Sequence, residues 1–302
     1  MSVPANRSPV AIFAYNRPDH LLKTLESLKG NKGFEKHPVF IFSDGPKDSS
    51  KDIQLVNNTR EIAKTFSMFK NVTVIHNESN HGLAKNIISG VSEVMKSYGQ
   101  TIVVEDDLIL SPLFLDFMDR ALEFYRQSDE IFSISGYSLP LKTLRDYEYD
   151  IYLLPRCSSW GWASWKDRWD KVDWEVSDFK DFINNKFSID AFDQAGSDLT
   201  DMLERQQKGD IDSWAIRWNY AHFRNNGLSV VPAISLVANG GCDNSGSNVR
   251  STDRYKTTLN DGIRIPIFPP IMSTDDRILD ELRDFFNKSI RRKIKKTIRN
   301  IF

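Results

Sequence analysis

Short apolar runs alternate with longer amphipathic stretches over the first third of the chain. Four runs are apolar nearly throughout and predict β-strands at 10–15, 39–43, 72–76 and 101–104. Between them, apolar residues recur three and four positions apart, which predicts helices. Because such strands, separated by helices, form parallel sheets covered on both faces, the pattern predicts an α/β fold. Ligands of these sheets bind beyond the carboxyl ends of the strands.

Polar residues follow each predicted strand and should therefore gather on one rim of the sheet. In chain order they are Asn16-Arg17-Pro18-Asp19, Asp44-Gly45-Pro46, Asn80-His81-Gly82 and Glu105-Asp106-Asp107. The sequence contains neither a GxGxxG motif nor a P-loop, so a dinucleotide site or a kinase-type phosphate cradle is not expected.

The three consecutive acids are the sharpest chemical signal. Adjacent carboxylates repel one another unless a cation neutralises them, and their oxygens suit Mg²⁺ or Mn²⁺. The alternative is that they lie at the N-terminus of the helix beginning near Pro112, where acids meet a favourable dipole. From these residues alone, both interpretations remain open.

Other rim residues also allow two interpretations. Arg17 could contact phosphate or be an ordinary surface charge. Asp44 could bind a ribose or base, or form a turn before Gly45-Pro46. Asn80 could approach a ligand or cap the next helix. Lys85, in the first turn of that helix, joins the predicted donor-binding residues.

All seven tryptophans fall between residues 160 and 218. Indole rings pack on the apolar faces of sugars, so we expect one or two of the seven to line a sugar site and the rest to be core, with Trp160, Trp162 and Trp214 as the predicted sugar-binding residues. Asp212 is a candidate general base, although a lone aspartate is usually a surface residue.

Composition changes this picture mainly at the C-terminus. The net charge is −1, but residues 288–302 carry seven basic and no acidic residues, which leaves 33 basic and 41 acidic residues elsewhere. Ile290, Ile294, Ile298 and Ile301 recur at helical spacing among these cations. The pattern predicts an amphipathic helix on an anionic membrane surface, with a helix docked on the protein body as the alternative. Nucleic acid is not expected as a partner.

The sequence has no apolar window long enough to cross a membrane and no recognisable signal peptide. We therefore expect a cytoplasmic protein, peripheral on the inner face of the plasma membrane. Cys157 and Cys242 match no metal or redox spacing and are expected to be buried apolar residues.

Several motifs resemble those of one family in the same order. They are Ala14-Tyr15-Asn16-Arg17, Phe42-Ser43-Asp44-Gly45, the segment 102–108 around the three acids, the segment 132–137, Ser159-Trp160-Gly161-Trp162 and Asp212-Ser213-Trp214. Together they resemble the N-acetylglucosaminyltransferase I family and its bacterial relatives, which are inverting glycosyltransferases with the GT-A fold. The resemblance covers roughly residues 10–237.

The resemblance implies a role for each matching position. Asp107 would hold Mn²⁺ (or Mg²⁺) that bridges the donor's diphosphate, while Glu105 and Asp106 would contact the donor sugar and ribose. Arg17 would meet phosphate and Asp44 the nucleoside, with UDP as the expected nucleotide. The family has two adjacent acids before the tryptophan and uses the second; here that position is Ser213, which leaves Asp212 as the predicted base.

The sequence therefore predicts a GT-A fold, a Rossmann-like mixed sheet flanked by helices with a C-terminal amphipathic helix. The predicted catalytic domain spans 1–270, with a nucleotide-sugar half at 1–107 and an acceptor half at 108–270, followed by a basic tail at 271–302. The predicted function is metal-dependent, inverting transfer from a UDP-sugar to a glycan or lipid-linked acceptor in bacterial cell-surface polysaccharide synthesis. A sugar-phosphate nucleotidyltransferase and a non-catalytic carbohydrate-binding protein remain as alternatives.

Overall fold

The computed structural model describes residues 7–241, 253–260, 266–269 and 273–287. The strands in these ranges are β1 (Val10–Ala14), β2 (Val39–Ser43), β3 (Val72–His76), β4 (Gln100–Glu105), β5 (Leu108–Leu110), β6 (Ile131–Ser135), β7 (Ile151–Leu154), β8 (Trp162–Trp165), β9 (Leu228–Pro232) and β10 (Val237–Asn239). The α-helices are α1 (Pro18–Lys29), α2 (Ser50–Phe66), α3 (Leu83–Tyr98), α4 (Phe114–Phe124), α5 (Lys166–Trp169), α6 (Phe179–Ile183), α7 (Lys186–Phe192), α8 (Leu199–Gln207), α9 (Trp214–Arg224) and α10 (Asp276–Phe286). The four predicted strands are confirmed to within a residue at each end.

Eight strands form one mixed sheet in the order β3-β2-β1-β4-β8-β6-β9-β7. The first four are parallel, β8 is antiparallel to both β4 and β6, β9 is parallel to β6, and β7 is antiparallel to β9. The predicted GT-A fold class, a mixed sheet flanked by helices, is confirmed. The predicted halves, 1–107 and 108–270, share this sheet through the pairing of β4 with β8.

Alternation along the strands explains the helical layers. In β1, Val10 and Ile12 face a core shared with α1, α2 and α4, whereas Ala11 and Phe13 face a second core shared with α3 and α9. Because both faces are apolar, the central strands read as continuous hydrophobic runs, which is typical of buried parallel strands. The polar loops at the ends of these strands therefore carry the candidate functional residues.

A separate two-stranded sheet crosses the end of β4. Strand β10 pairs antiparallel with β5, so that Asn239 lies opposite Leu108. This pairing brings the chain after β10 directly over the acidic turn between β4 and β5.

Helix α10 docks the start of the predicted tail onto the body. Ile278 and Leu282 are buried against a cluster that includes Tyr152 and Val231. The Glu281 carboxylate accepts hydrogen bonds from the backbone N–H groups of Lys142 and Thr143. The domain boundary predicted at residue 270 therefore precedes a helix that belongs to the folded body.

The predicted membrane-binding stripe at 288–302 lies outside the described residues. None of the helices within the described ranges combines the length and the apolar content that a bilayer crossing requires.

Candidate active site

Three neighbouring strands end at the same rim. Strand β1 lies between β2 and β4, with Ala14 opposite Ser43 and Phe13 opposite Glu105. The residues that follow, Tyr15, Asp44 and Asp106, are consequently brought together although up to 91 positions separate them in sequence. This confirms the predicted gathering of polar residues at one edge.

Asp106 joins the first loop to the acidic turn. Its buried carboxylate accepts a hydrogen bond from the Tyr15 backbone N–H at 3.3 Å and another from the Arg17 guanidinium. Its carbonyl oxygen accepts a bond from the Thr24 hydroxyl of α1 at 2.8 Å. Asp106 thus positions the loop between β1 and α1 rather than presenting a free carboxylate.

Arg17 lies between two carboxylates. One terminal nitrogen pairs with Asp106, and the other donates to Asp107 Oδ2 at 2.9 Å. Burial by itself would lower the pKa of Arg17, but the charges of Asp106 and Asp107 raise it above its ordinary value. In this structure Arg17 therefore offsets part of the negative charge of the acidic turn.

Two carboxyl groups of the acidic turn have pKa values above their ordinary range. Burial, together with the charges of Asp107 and Asp106, raises the pKa of Glu105 to about 8, and Arg17 opposes that rise. Burial also raises the pKa of Asp106 to about 6, again against the effect of Arg17. A further cation would lower both values, because opposite charge favours the ionised carboxylate.

The residues of the acidic turn could bind a divalent cation whose remaining ligands come from the substrate. Within the described ranges, no three His, Cys, Asp or Glu side chains form a ready-made metal cage. Mg²⁺-like ions, however, are commonly bound through one or two carboxylates together with substrate phosphates and water. The guanidinium on Asp107 shows that this carboxylate already accommodates a positive charge.

Two glycines lie directly over the acidic turn. The sequence analysis did not assign them to the site. The Gly240 N–H donates to the Asp107 carbonyl oxygen at 2.7 Å. A Cβ at Gly241 would lie only 2.2 Å from Asp107 Oδ2 and 3.0 Å from an Arg17 nitrogen. The Asn-Gly-Gly sequence that begins at the last residue of β10 was the available signal, because such close approach leaves no room for a side chain.

Asp44 holds two loops together. Its oxygens accept hydrogen bonds from five donors, the backbone N–H groups of Gly45, His81 and Gly82 and the side-chain amides of Asn77 and Asn80. Asp44 therefore has a structural role in joining these loops, and its predicted contact with the nucleoside stays a prediction.

Asn80 does not cap α3, because Gly82 occupies the N-cap position with φ 79°. The Asn80 amide instead binds Asp44 and the Gly45 carbonyl oxygen. Lys85 is exposed in the first turn of α3.

Asp52 is a further organising residue that the sequence analysis missed. Its carboxylate accepts hydrogen bonds from the Tyr15 hydroxyl at 2.5 Å, the Asn16 amide at 2.7 Å and the Lys47 backbone N–H at 2.6 Å. Burial alone would raise the pKa of Asp52, but these bonds lower it. Asp52 therefore fastens the loop after β1 to the loop after β2.

The predicted sugar-binding tryptophans separate into two groups. Trp162 and Trp214 are almost fully buried, and their stacked rings lie 5.2 Å apart within a core that includes Trp169 and Trp218. These two rings therefore pack in the core in this structure, and their predicted sugar contact stays a prediction. Trp160 is half-buried, with its ring 4.5 Å from that of Tyr137, and can still offer an edge to a ligand.

Asp212 is exposed at the start of α9. Its Oδ2 lies 3.6 Å from the position that a Cβ would take at Gly82, which places it beside the loop between β3 and α3. A terminal nitrogen of Arg217 lies 3.4 Å from its Oδ1. The structure thus brings Asp212 next to the loops held by Asp44.

Residues 10–139 match the model of glycosyl transferase family 2. The match covers less than half of the 302 residues and includes the first loop, Asp44, Asp52 and the acidic turn, while Trp160 and Asp212 lie beyond it. It shows a glycosyltransferase domain in the first half of the chain. The closer resemblance to N-acetylglucosaminyltransferase I stays a prediction.

Two solved structures are similar to this chain. One is the mannosyltransferase PcManGT from Pyrobaculum calidifontis in complex with GDP-Man and Mn²⁺, at 12% identity, 55% coverage of this chain and a TM-score of 0.38. The other is GalNAc-T7 with UDP, GalNAc and Mn²⁺, at 11% identity, 78% coverage and a TM-score of 0.49. The aligned regions cover 47% and 44% of those two chains, so this chain spans less than half of either.

Proposed function

We propose that this protein is an inverting, divalent-metal-dependent glycosyltransferase that uses a nucleoside diphosphate sugar, with UDP as the favoured nucleotide. The observation that carries the proposal is the joining of Arg17, Asp106 and Asp107 at the rim of the domain matched to glycosyl transferase family 2. A fork of N–H donors beside an acidic carboxylate suits a diphosphate and its cation, because the guanidinium can bind phosphate oxygens and the carboxylate can bind the cation.

Each rim residue has a separate role in this proposal. Asp106 fixes the first loop, Asp52 ties that loop to its neighbour, and Arg17 donates to the diphosphate. Asp107 would hold the cation, with Mn²⁺ or Mg²⁺ as candidates. When bound, such a cation supplies Lewis-acid stabilisation of the negative charge that grows on the leaving diphosphate.

Asp212 is the proposed general base. Inversion requires a carboxylate on the face opposite the leaving group, where it accepts the proton of the attacking hydroxyl. Asp212 is exposed and carries no tightly bound partner other than Arg217 among its described contacts. Asp173 is less suited, because its carboxylate already accepts bonds from Ser177 and Glu175.

The acceptor and the location are proposed from the sequence pattern. The basic, isoleucine-striped segment 288–302 suits a protein that sits on an anionic membrane, at the cytoplasmic face. An acceptor linked to lipid or carried on a growing glycan, as in bacterial surface polysaccharide synthesis, would be reached from there. Trp160 is the proposed contact for its sugar ring.

Thermal-shift screening with nucleotide sugars, with and without Mn²⁺, tests the function directly. A ligand present at 100 times its dissociation constant stabilises the native state by ~2.7 kcal/mol, which is easily measured. We expect stabilisation by a UDP-sugar that requires the metal, followed by sugar transfer with inversion. Screening that finds no nucleotide sugar able to stabilise the protein, with either metal, would contradict the proposal.

A further inference from the structure

Arg217 is a mostly buried cation that lies beside the exposed carboxylate of Asp212. The side chain of Arg217 is 13% exposed and that of Asp212 is 62% exposed. Burial lowers the pKa of Arg217 from its ordinary value, and the charges of Asp212 and Glu175 oppose that shift. A buried guanidinium keeps its charge and needs hydrogen-bond acceptors, since burying an unpaired charge is costly.

Two nitrogens of this guanidinium are fixed by the backbone. Nε donates to the carbonyl oxygen of Ser213 at 3.2 Å, and Nη1 donates to the carbonyl oxygen of Trp174 at 3.2 Å. The guanidinium carbon also lies 5.9 Å from the centre of the Trp174 ring. Because the guanidinium is planar and its donors form a rigid fork, these two bonds fix the direction of the third nitrogen. That nitrogen, Nη2, lies 3.4 Å from Asp212 Oδ1.

The two oxygens of Asp212 consequently have different surroundings. Oδ1 faces Arg217, whereas Oδ2 lies 3.6 Å from the position that a Cβ would take at Gly82. Gly82 is itself held, because its N–H donates to Asp44 Oδ2 at 3.0 Å. Oδ2 is thus the oxygen that lies beside the loops of the rim.

A general base must be oriented as well as ionised. An exposed aspartate without a fixed partner samples several rotamers, and only some of them bring an oxygen within hydrogen-bond reach of an acceptor hydroxyl. A partly exposed ion pair, by contrast, contributes little to the free energy of unfolding. The effect of the Arg217–Asp212 pair should therefore appear in turnover rather than in stability.

We propose that Arg217 is a positioning residue for the general base: it holds Oδ1 of Asp212, so that Oδ2 is presented to the acceptor hydroxyl. This inference rests on the proposed function and adds to it the residue that orients the base. The competing interpretation is that Arg217 only joins the segment at Trp174 to the start of α9. The two interpretations differ in whether the effect of Arg217 depends on the Asp212 carboxylate.

A double-mutant cycle on the full chain separates these interpretations. Turnover is measured as release of nucleoside diphosphate from the nucleotide sugar that most stabilises the parent protein in the thermal-shift screen, with water as the acceptor. We expect Arg217→Gln to lower kcat by about 10- to 100-fold at a nearly unchanged donor KM, because a small misplacement of a catalytic group costs up to ~10²-fold. In Asp212→Asn, which has no base left to orient, adding Arg217→Gln should change kcat by less than ~2-fold.

Two further variants control for charge and folding. Arg224→Gln makes the same substitution on α9 at an arginine that pairs with Asp178 on the surface, and it should leave kcat unchanged. Arg217→Lys keeps the positive charge but not the planar fork, so its kcat should lie between those of the parent protein and Arg217→Gln. It also keeps the test available if Arg217→Gln does not fold. Thermal shift with the nucleotide sugar reports whether each variant still binds the donor.

The inference and the function fail in different ways. If Arg217→Gln leaves kcat unchanged, or lowers it by the same factor in the parent protein and in Asp212→Asn, the positioning role is wrong and the proposed function stands. If Asp212→Asn keeps normal turnover, the assignment of the base is wrong and this inference falls with it. If no nucleotide sugar stabilises the parent protein, the proposed function itself falls.

Discussion

At the scale of single residues, Asp106 and Asp107 are adjacent but differently bound. Asp106 accepts bonds from the first loop on both oxygens, whereas Asp107 shares Oδ2 with Arg17. We expect Asp107→Ala to abolish Mn²⁺-dependent nucleotide binding and to lower transfer by at least roughly 10²-fold, as for loss of a transition-state charge stabiliser. Its unfolding free energy should change by less than about 1 kcal/mol.

Asp106→Ala is the matched comparison. It leaves the Tyr15 N–H and one Arg17 nitrogen without their acceptor, so urea denaturation should show a loss of about 1–3 kcal/mol. Equal destabilisation by the two variants would contradict the division of roles.

Asp52 should act on donor binding rather than on the chemical step. Asp52→Ala frees the Tyr15 hydroxyl and the Asn16 amide, so the first two loops lose their common anchor. We expect the donor KM to rise while kcat stays close to its original value, because binding that is equal in ground and transition states affects KM alone. Asp48→Ala changes an exposed aspartate of the same turn and should alter neither parameter. A fall in kcat at unchanged KM would exclude the anchoring role.

Asp212→Asn keeps the shape of the proposed base and removes its basicity. Donor binding, measured by thermal shift, should persist while turnover falls by roughly 10²–10⁴-fold. NMR of the product should show the anomeric configuration opposite to that of the donor. Normal turnover would transfer the role of base to another acid, with Asp173, Glu175 and Asp210 the next candidates.

Local pattern was sufficient to place the acids and Arg17 on one rim, because each directly follows a strongly apolar strand. The local pattern could not show that the Asp44 carboxylate is hydrogen-bonded to the loop at 77–82, because those bonds join residues 33 to 38 positions apart. The same holds for Asp52 and for Gly241, whose neighbours come from distant segments.

At the scale of elements, α10 belongs to the folded body and precedes the basic segment 288–302 in sequence. Ile278 and Leu282 bury α10 against the body, and Arg156 stacks on Phe286 with its guanidinium carbon 3.6 Å from the ring centre. Deleting 288–302 should therefore release the protein from anionic liposomes while leaving thermal stability and transfer to a soluble acceptor unchanged. Leu282→Ala, in contrast, should cost about 2–5 kcal/mol of stability and leave liposome binding intact.

Liposomes of neutral lipid provide the control for charge, since each basic residue near an anionic surface contributes about 1 kcal/mol. Co-sedimentation of the truncated chain with anionic liposomes would exclude the membrane role of 288–302.

The elements were predicted most accurately where the sequence changes sharply between apolar and turn-forming residues. Strands β2 and β3 were located to the residue because each is a short apolar run between turn-forming residues. The tryptophan-rich region was harder, because aromatic residues at close spacing suit a ligand site and a core equally well. The structure shows that Trp162, on β8, is buried in the core that includes Trp214 and Trp218.

At the scale of the whole molecule, a buried histidine links the sheet to α9 and should limit stability in acid. His222 is fully buried, its Nδ1–H donates to the Trp218 carbonyl oxygen at 2.9 Å, and its Nε2 lies 2.9 Å from the Ser133 hydroxyl of β6. Burial lowers the pKa of His222 to about 4, although the bond to Trp218 opposes the shift. The native state therefore excludes a proton that the unfolded chain binds.

The sign of the resulting pH dependence follows from that difference. Above pH ~6.5, His222 is neutral in both the native and the unfolded state, and its hydrogen bonds contribute fully to stability. As pH falls from ~6.5 towards 4, only the unfolded chain takes up the proton, so stability should fall by ~3 kcal/mol over this window. Glu105 and Asp106, whose pKa values burial raises to about 8 and about 6, contribute with the opposite sign over this window. Urea denaturation between pH 7 and 4 should therefore show the His222 contribution as the difference in slope between the parent protein and His222→Gln. His81→Gln, at an exposed histidine, should keep the slope of the parent protein. An unaltered slope in His222→Gln would assign the acid sensitivity to other groups, with His37 the next candidate because burial also lowers its pKa.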